Sequence, residues 1–261
     1  MSKYEELYTY DEPVEINGLF LYPVQMRQYI YFYENIGCLL FNKNRIPDPQ
    51  IISMSYLAFI YLVAIQNINI LSNVENLLYL CFRLDKQEYY IDFNVDKKNK
   101  PCINIYKNKT KESWEFSQKD LNKIREIICN QNMVELPNEK IDPKLEAALL
   151  ETQDFINHQN NNLKIISLED QMISVLINTS LSWESILNLS IRKFVKILER
   201  KNKELHYQIY KTASISGMVE FKQSIPHYLY EDNKDKYEDL ITDYEEFKGK
   251  MSKVADIQGG K

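Results

Sequence analysis

The run that follows Ser190, IRKFVKILERKNKELHYQIYKTAS, constrains the fold more than any other part of the sequence. Its apolar residues recur every three or four positions, which places them on one stripe of a long helix. Ser190 suits the start of this helix, because a serine hydroxyl can accept a hydrogen bond from the open N–H groups of the first turn. The stripe contains Ile191, Phe194, Val195, Leu198, Leu205 and Ile209, and the first four are predicted to lie in the core.

The face opposite this stripe is basic. Arg192, Lys193, Lys196 and Arg200 recur at helical spacing on that face. We predict that it is a contact surface, either for the acidic run 231–246 of the same chain or for an acidic partner protein.

Two shorter helices are predicted before the long one. Ser167 and Asp170 have the spacing of a helix start and lead into QMISVLIN. Ser180 or Ser182 begins the short segment WESILNL, in which Trp183 is expected to anchor the short helix on the long one. The C-terminal half is therefore predicted to be all helical.

The N-terminal half combines helices with a small β insert. Asn17-Gly18 lies between two apolar runs in 13–24, which is the strongest short signal for a β-hairpin. The aromatic segment 24–41 is predicted to be a packed helix, and further helices are expected over 51–66 and 74–82. Residues 83–116 read as an antiparallel meander with lysine-rich turns, followed by a helix that Ser117 caps.

These patterns predict an α+β fold that is mostly α. The predicted domains are 1–160, with the hairpin and the β insert at about 83–116, and 163–230, with a C-terminal arm. A helix over 141–158 and the linker QNNNL at 159–163 would separate them. The acidic run 231–246 belongs to a partly disordered tail over 231–261.

Composition excludes several classes of function. A net charge of −5 and a sequence pI of about 5.4 argue against a general nucleic-acid coat, which needs a basic face. Only 6 glycines are present, and no phosphate-binding glycine loop can be written from them. The most apolar stretch, 51–66, is shorter than the roughly 18–20 residues that span a bilayer, so no membrane contact is expected.

The 4 cysteines, widely spaced and flanked by apolar residues, are expected to be buried thiols in a reducing compartment. They are Cys38, Cys81, Cys102 and Cys129. No N-terminal signal for secretion is visible, so secretion is not expected.

No catalytic or metal-binding pattern is found, so the chain is predicted to be no enzyme and to hold no cofactor. The 3 histidines, His158, His206 and His227, do not pair with one another. Ser216-Gly217 lacks the flanking glycines of a nucleophile elbow. Pro47-Asp48 and Glu199-Arg200-Lys201 resemble parts of a nuclease motif, but the second lies inside a predicted helix.

A lysine cluster in the β insert gives an alternative function. Its six lysines, interleaved with Tyr106 and Trp114, are typical of a surface that binds nucleic acid. They are equally typical of hairpin turns in which lysines maintain solubility and protect sheet edges from aggregation. The cluster therefore suggests a nucleic-acid-binding or nuclease accessory protein as an alternative function, although the acidic net charge makes nucleic acid an unexpected partner. The cluster comprises Lys97, Lys98, Lys100, Lys107, Lys109 and Lys111.

Two polar segments rich in aromatic residues, 1–12 and 218–232, are predicted to be arms that dock on another protein. Tyrosine offers a large contact area with a polar tip, as protein interfaces require. The predicted contact residues are Tyr4, Tyr8 and Tyr10 in the first arm, and Phe221, His227, Tyr228 and Tyr230 in the second.

Segments 18–63 (GLFLYPVQMRQYIYFYENIG and onward) and 167–222 (SLEDQMISVLINTSLSWESILNLSIRKF and onward) resemble tail-morphogenesis proteins of long-tailed bacteriophages from low-GC hosts. The second segment also resembles their helical tail-assembly chaperones and baseplate-hub proteins, in which a short helix precedes a Leu-Thr/Ser-x-x-x-Phe turn. Leu189, Ser190 and Phe194 match that turn, whereas Thr179-Ser180 replaces the Thr-Gly pair of the family.

This resemblance implies a non-enzymatic role in building the tail or baseplate, either as a virion component or as an assembly factor and chaperone. The implied partners are tail-tube, tape-measure or hub proteins, with an oligomeric state during assembly. The implied location is the host cytoplasm during assembly, or the virion tail. Inhibition of a host protein stays open as a third interpretation.

Overall fold

A computed structural model describes residues 4–46, 48–67, 69–110, 112–137, 139, 166–216 and 227–229 of the 261-residue chain. The chain divides into two compact units, Met1–Lys201 and Asn202–Lys261. It is 58% helical, and the described residues form one two-stranded and one three-stranded antiparallel sheet. The predicted α+β fold, mostly α with a β insert, is confirmed.

The first residues form a helix and a hairpin. Helix α1 covers Glu5–Tyr10, where the sequence predicted an arm, and its burial of Tyr8 explains why this part is ordered on the core. Strands β1 (Val14–Ile16) and β2 (Leu19–Leu21) then pair antiparallel. Asn17 and Gly18 both have positive φ, 50° and 86°, as a two-residue hairpin turn requires, so the predicted hairpin is confirmed.

Four helices follow the hairpin. Helix α2 (Tyr29–Ile36) lies between two short 3₁₀ segments, Met26–Gln28 and Gly37–Leu39, and a third covers Lys43–Arg45. The next three are α3 (Pro49–Ser53), α4 (Tyr56–Gln66) and α5 (Asn69–Cys81).

The single helix predicted over 51–66 is wrong. Met54 and Ser55 leave the helical conformation, and the hydroxyl of Ser55 accepts a hydrogen bond from the Ala58 N–H at 3.2 Å. This cap starts α4 as a separate helix. Asp48 caps α3 in the same way, with Pro49 at the first helical position.

The β insert is a three-stranded meander, as predicted. Its strands are β3 (Tyr89–Val95), β4 (Pro101–Lys107) and β5 (Ser113–Phe116), in the order β3-β4-β5. Helix α6 (Gln118–Gln131) follows directly. Ser117 and Asp120 form a capping box at its start, which confirms the predicted cap.

The C-terminal part contains α7 (Leu168–Asn178), α8 (Trp183–Asn188) and α9 (Ile191–Ile215). Hydroxyls of Ser167, Ser182 and Ser190 cap them. The expected anchoring role of Trp183 is not what the packing shows. Trp183 is 41% exposed, whereas Ile186, three residues further along α8, is completely buried and holds this helix on the core.

The core of the first unit combines side chains from nearly all these elements. It includes Leu21, Phe32, Leu57, Leu77, Ile105, Phe116, Leu121, Ile186, Ile191 and Phe194. All 4 cysteines are buried and free, as predicted. The helix predicted over 141–158, the linker 159–163 and the acidic run 231–246 lie outside the described residues, and the predicted boundary near 160 stays a prediction.

One junction joins distant parts of the chain in this unit. The Val24 carbonyl accepts a hydrogen bond from the Ile191 N–H at 2.9 Å, and the Met26 N–H donates to the Leu189 carbonyl at 2.9 Å. These two bonds fix the start of α9 beside the segment that leaves the hairpin. The predicted core positions Ile191 and Phe194 are buried there, and Val195 and Leu198 pack against the core while partly buried.

Candidate interaction surfaces

The apolar stripe of α9 continues beyond the part that the core covers. Leu205 and Ile209 lie on the same helical line as Ile191 and Phe194. They are 42% and 61% exposed, whereas the two earlier residues are buried. Exposed leucine and isoleucine in line with a buried stripe form a surface that suits another apolar surface. We call Leu205 and Ile209 the distal stripe.

The first two residues of the predicted basic face make contacts inside the chain. The Arg192 guanidinium donates to the Asn130 carbonyl at 3.0 Å and lies 5.7 Å from the centre of the Tyr8 ring. Lys193 forms an ion pair with Asp11 at 2.9 Å. These contacts tie α9 to α1 and to the end of α6, so the two cations have a structural role.

The other two residues lie further along the helix. Lys196 is exposed and pairs with Glu199 at 3.4 Å, while Arg200 is half-buried. An exposed pair of this kind contributes little to stability, because solvent and salt screen it. The basic contact surface for a partner stays a prediction, and its exposed part is centred on Lys196.

The three tyrosines of the predicted N-terminal arm differ in exposure. Tyr8 is buried, and burial raises the pKa of its hydroxyl to about 12. Tyr4 packs against it, with ring centres 6.3 Å apart. Tyr10 is 66% exposed, so of these three rings it is the one that a partner can reach.

In the second unit, three rings form a small cluster. His227 stacks on Tyr228 at 4.5 Å between ring centres, and Tyr207 of α9 lies 5.0 Å from His227. This contact fixes residues 227–228 on the side of α9 that faces away from the distal stripe. Phe221 and Tyr230 lie outside the described residues.

The lysine-rich insert carries carboxylates beside its lysines. Lys109 pairs with Glu88 at 3.4 Å, and Lys107 lies 3.8 Å from Glu112. In the β3–β4 turn, Asp96 accepts the backbone N–H groups of Lys100 and Lys98, which lowers the pKa of its carboxyl. Negative charge is therefore built into the patch, which weakens its attraction for nucleic acid.

The two aromatic residues of that cluster already have partners. Trp114 packs beside Tyr89 and lies 3.5 Å from where a side chain on Gly18 would begin. Tyr106 stacks on Tyr90 at 5.9 Å. Lys97, Lys98 and Lys100 are exposed, and Lys111 lies outside the described residues.

Sequence reasoning missed a buried charge cluster at the start of α4. Arg125, on the apolar face of α6, is 8% exposed, and Lys43 is 7% exposed. Glu139 bridges them, with Oε1 at 2.8 Å from the Arg125 Nη1 and Oε2 at 3.9 Å from the Lys43 Nζ. One signal was available, because Arg125 stands next to Ile124 inside the apolar stripe of a predicted helix.

Among the described residues, no group of three or more histidine, cysteine, aspartate or glutamate side chains is placed to hold a metal ion. A search of the same residues finds no helix with the length and apolar character needed to cross a membrane. Compared with protein-family models, with curated proteins and with solved structures, the chain matches none.

Proposed function

We propose that this chain is a non-enzymatic component or assembly factor of a bacteriophage tail or baseplate, and that it acts through protein–protein contacts in the host cytoplasm. The resemblance of segments 18–63 and 167–222 motivates the assignment to tails. The observation that carries the contact role is the distal stripe, where apolar residues of α9 are exposed in line with buried ones.

The chemistry of the distal stripe indicates how a partner would bind. Burying a fully exposed leucine or isoleucine contributes about 1.5–3 kcal/mol, and Leu205 and Ile209, which are already partly buried, would gain roughly half of this. An apolar helical stripe of this kind binds either in a groove or against a second helix. The proposed partner surface is therefore an apolar groove or helix on a tail-tube, tape-measure or hub protein.

Copurification with these tail proteins tests the proposal. We expect the full chain to retain at least one of them, and Leu205→Asp with Ile209→Asp to abolish retention. Ser214→Asp is the control for added negative charge, because it places one aspartate on the opposite side of α9, where Ser214 is exposed. Failure of the wild-type chain to retain any tail protein, or equal retention by the double variant, contradicts the proposal.

Mass spectrometry of purified virions distinguishes the two proposed roles, structural component and assembly factor. Stoichiometric presence identifies a structural component, and absence combined with defective tails in a deletion strain identifies an assembly factor. Absence from virions together with normal tails in the deletion strain contradicts both roles.

A further inference from the structure

The Lys43–Arg125–Glu139 cluster contains more positive charge than Glu139 neutralises and more N–H donors than the Glu139 carboxylate binds. Among the described residues, two buried cations face one carboxylate, so these three side chains leave a net positive charge in a poorly solvated place. The Nη2 of Arg125 is buried and has no hydrogen-bond partner among the described residues. A buried cation with an unused donor is costly unless an anion or water meets it.

Both cations are held in place without the help of Glu139. The Arg125 Nε donates to the Leu39 carbonyl at 2.6 Å, and its guanidinium lies 3.7 Å from the centre of the Tyr56 ring. The Lys43 Nζ donates to the Met54 carbonyl at 2.6 Å. The cations are therefore preorganised by the backbone and by an aromatic ring.

The Tyr56 ring is itself fixed. Its hydroxyl donates to the Cys38 carbonyl at 2.9 Å and accepts the Phe41 N–H at 3.2 Å. The Tyr56 ring under the Arg125 guanidinium is thus fixed in the same way as the two cations. The part of the cluster that another group can replace is the Glu139 carboxylate.

Glu139 reaches the two cations from the solvent-exposed side of the cluster, as a bound carboxylate would. It follows α6, and the described residues 134–137, which lie between that helix and Glu139, form neither helix nor strand. Its side chain is 30% exposed, about three times as much as those of the two cations, at 9% and 10%. A carboxylate from solution can therefore approach the cations along the path that the Glu139 side chain occupies.

We propose that Lys43 and Arg125 form a carboxylate-binding site that accepts a carboxylate from outside the chain in the position that Glu139 occupies. Arg125 supplies paired N–H donors, and Lys43 supplies a point charge on the other oxygen. The site takes a small carboxylate ion or the acidic side chain of another protein, which share this chemistry. This inference does not depend on the proposed role in tails.

Formate binding to Glu139→Gln tests the site, with chloride at equal ionic strength as the reference anion. We expect the Tm of this variant to rise with formate and to saturate, because a ligand that binds only the folded state stabilises it. We expect a smaller rise for wild type, in which Glu139 competes. Adding Lys43→Met removes the rise.

Glu88→Gln is the matched control, because Glu88 pairs with Lys109 on the surface. An equal rise for this control, or no formate-specific rise for Glu139→Gln, overturns the proposal. If Glu139→Gln unfolds in chloride but folds in formate, the site is supported. If it stays unfolded in both, the site is refuted, because the cations should hold formate without Glu139.

A blocked Gly-Glu-Gly peptide distinguishes the two sources of carboxylate, with Gly-Gln-Gly as its control. If the Tm of Glu139→Gln rises with Gly-Glu-Gly but not with Gly-Gln-Gly, the site accepts an acidic side chain. A rise with formate and with neither peptide restricts the site to small carboxylates.

Discussion

The side chain of Asn132 accepts a hydrogen bond from the backbone N–H of Val24 at 2.9 Å, although 108 residues separate them. Its amide also donates to the Ile128 carbonyl at 2.7 Å, so one buried side chain ends α6 and holds the segment that pairs with α9. Val24 is bonded on its other side to Ile191. Three distant parts of the first unit therefore meet at one asparagine.

Asn132→Ala should lower the free energy of unfolding by about 2–3 kcal/mol, because a buried donor and a buried acceptor both lose their partners. Urea unfolding measures this change. Asn178→Ala is the control, since Asn178 bonds the Ser174 carbonyl in an exposed place. Its cost should stay within about 0.5 kcal/mol. Equal losses for the two variants would show that the junction is not a centre of stability.

Ser190→Ala should cost about 2 kcal/mol, because the hydroxyl has two roles. It accepts the Lys193 N–H at 3.1 Å as the cap of α9, and it donates to Asp11 at 2.8 Å. Ser182→Ala removes a cap that is exposed, and its cost should be about 0.5–1 kcal/mol. Chemical denaturation compares the two, and a larger loss for Ser182→Ala would contradict the role given to Ser190.

Alanine at two glycines should change stability in opposite directions. Gly18 has φ +86°, so Gly18→Ala is strained and should cost about 1–2 kcal/mol. Gly37 has a helical backbone, and apart from its chain neighbours and the local helical backbone nothing lies within 4 Å of an added Cβ. Gly37→Ala should stabilise by about 0.4–1 kcal/mol by restricting the unfolded chain. Thermal unfolding of both variants tests this, and destabilisation by both would refute it.

The native thiols should resist labelling at mildly alkaline pH. Burial raises the pKa of Cys38 and of Cys129 to about 12, and it also raises the pKa of Cys81 and Cys102. Because the thiolate is the reactive form, an aromatic disulfide reagent should release almost no thiolate from the native chain. All 4 thiols should react in denaturant. Fast native labelling at any one of them would show that its surroundings open readily.

Stability should fall as the pH rises above 9. The pKa of Cys38 is about 12 in the folded chain, against a usual 9.0, and that of Tyr8 is about 12, against 10.0. Between the two values of each group the folded state binds more protons than the unfolded state, so each unit of pH lowers the free energy of unfolding. Cys38→Ala should flatten this decline, by at most about 1.4 kcal/mol per pH unit. A decline of unchanged slope would refute the assignment.

Local signals in the sequence predicted most of the secondary structure. Asn17-Gly18 demands positive φ, and Ser117 with Asp120 satisfies the first N–H groups of α6, so both features are set by residues a few positions apart. The same reasoning failed at 51–66, because apolar composition concealed the cap at Ser55. Apolar content reports burial, whereas a single hydroxyl decides where a helix begins.

Sites that depend on distant pairing could not be predicted in this way. Lys43 and Arg125 lie 82 positions apart in the numbering, and each alone resembles an ordinary surface cation. Their meeting depends on how α4 and α6 pack. Likewise, the spacing that placed Arg192 and Lys193 on a contact face also allowed the contacts with Asn130 and Asp11 that the structure contains.

The junction of Val24 and Met26 with Leu189 and Ile191 affects how the chain folds during synthesis. Its hydrogen bonds join residues more than 160 positions apart, so the chain must leave the ribosome as far as Ile191 before both can form. Until then the hairpin and the end of α6 lack α9, and the apolar residues that it covers face the cellular milieu. The nascent chain is therefore most vulnerable to aggregation and proteolysis in the interval after α6 has emerged and before α9 does.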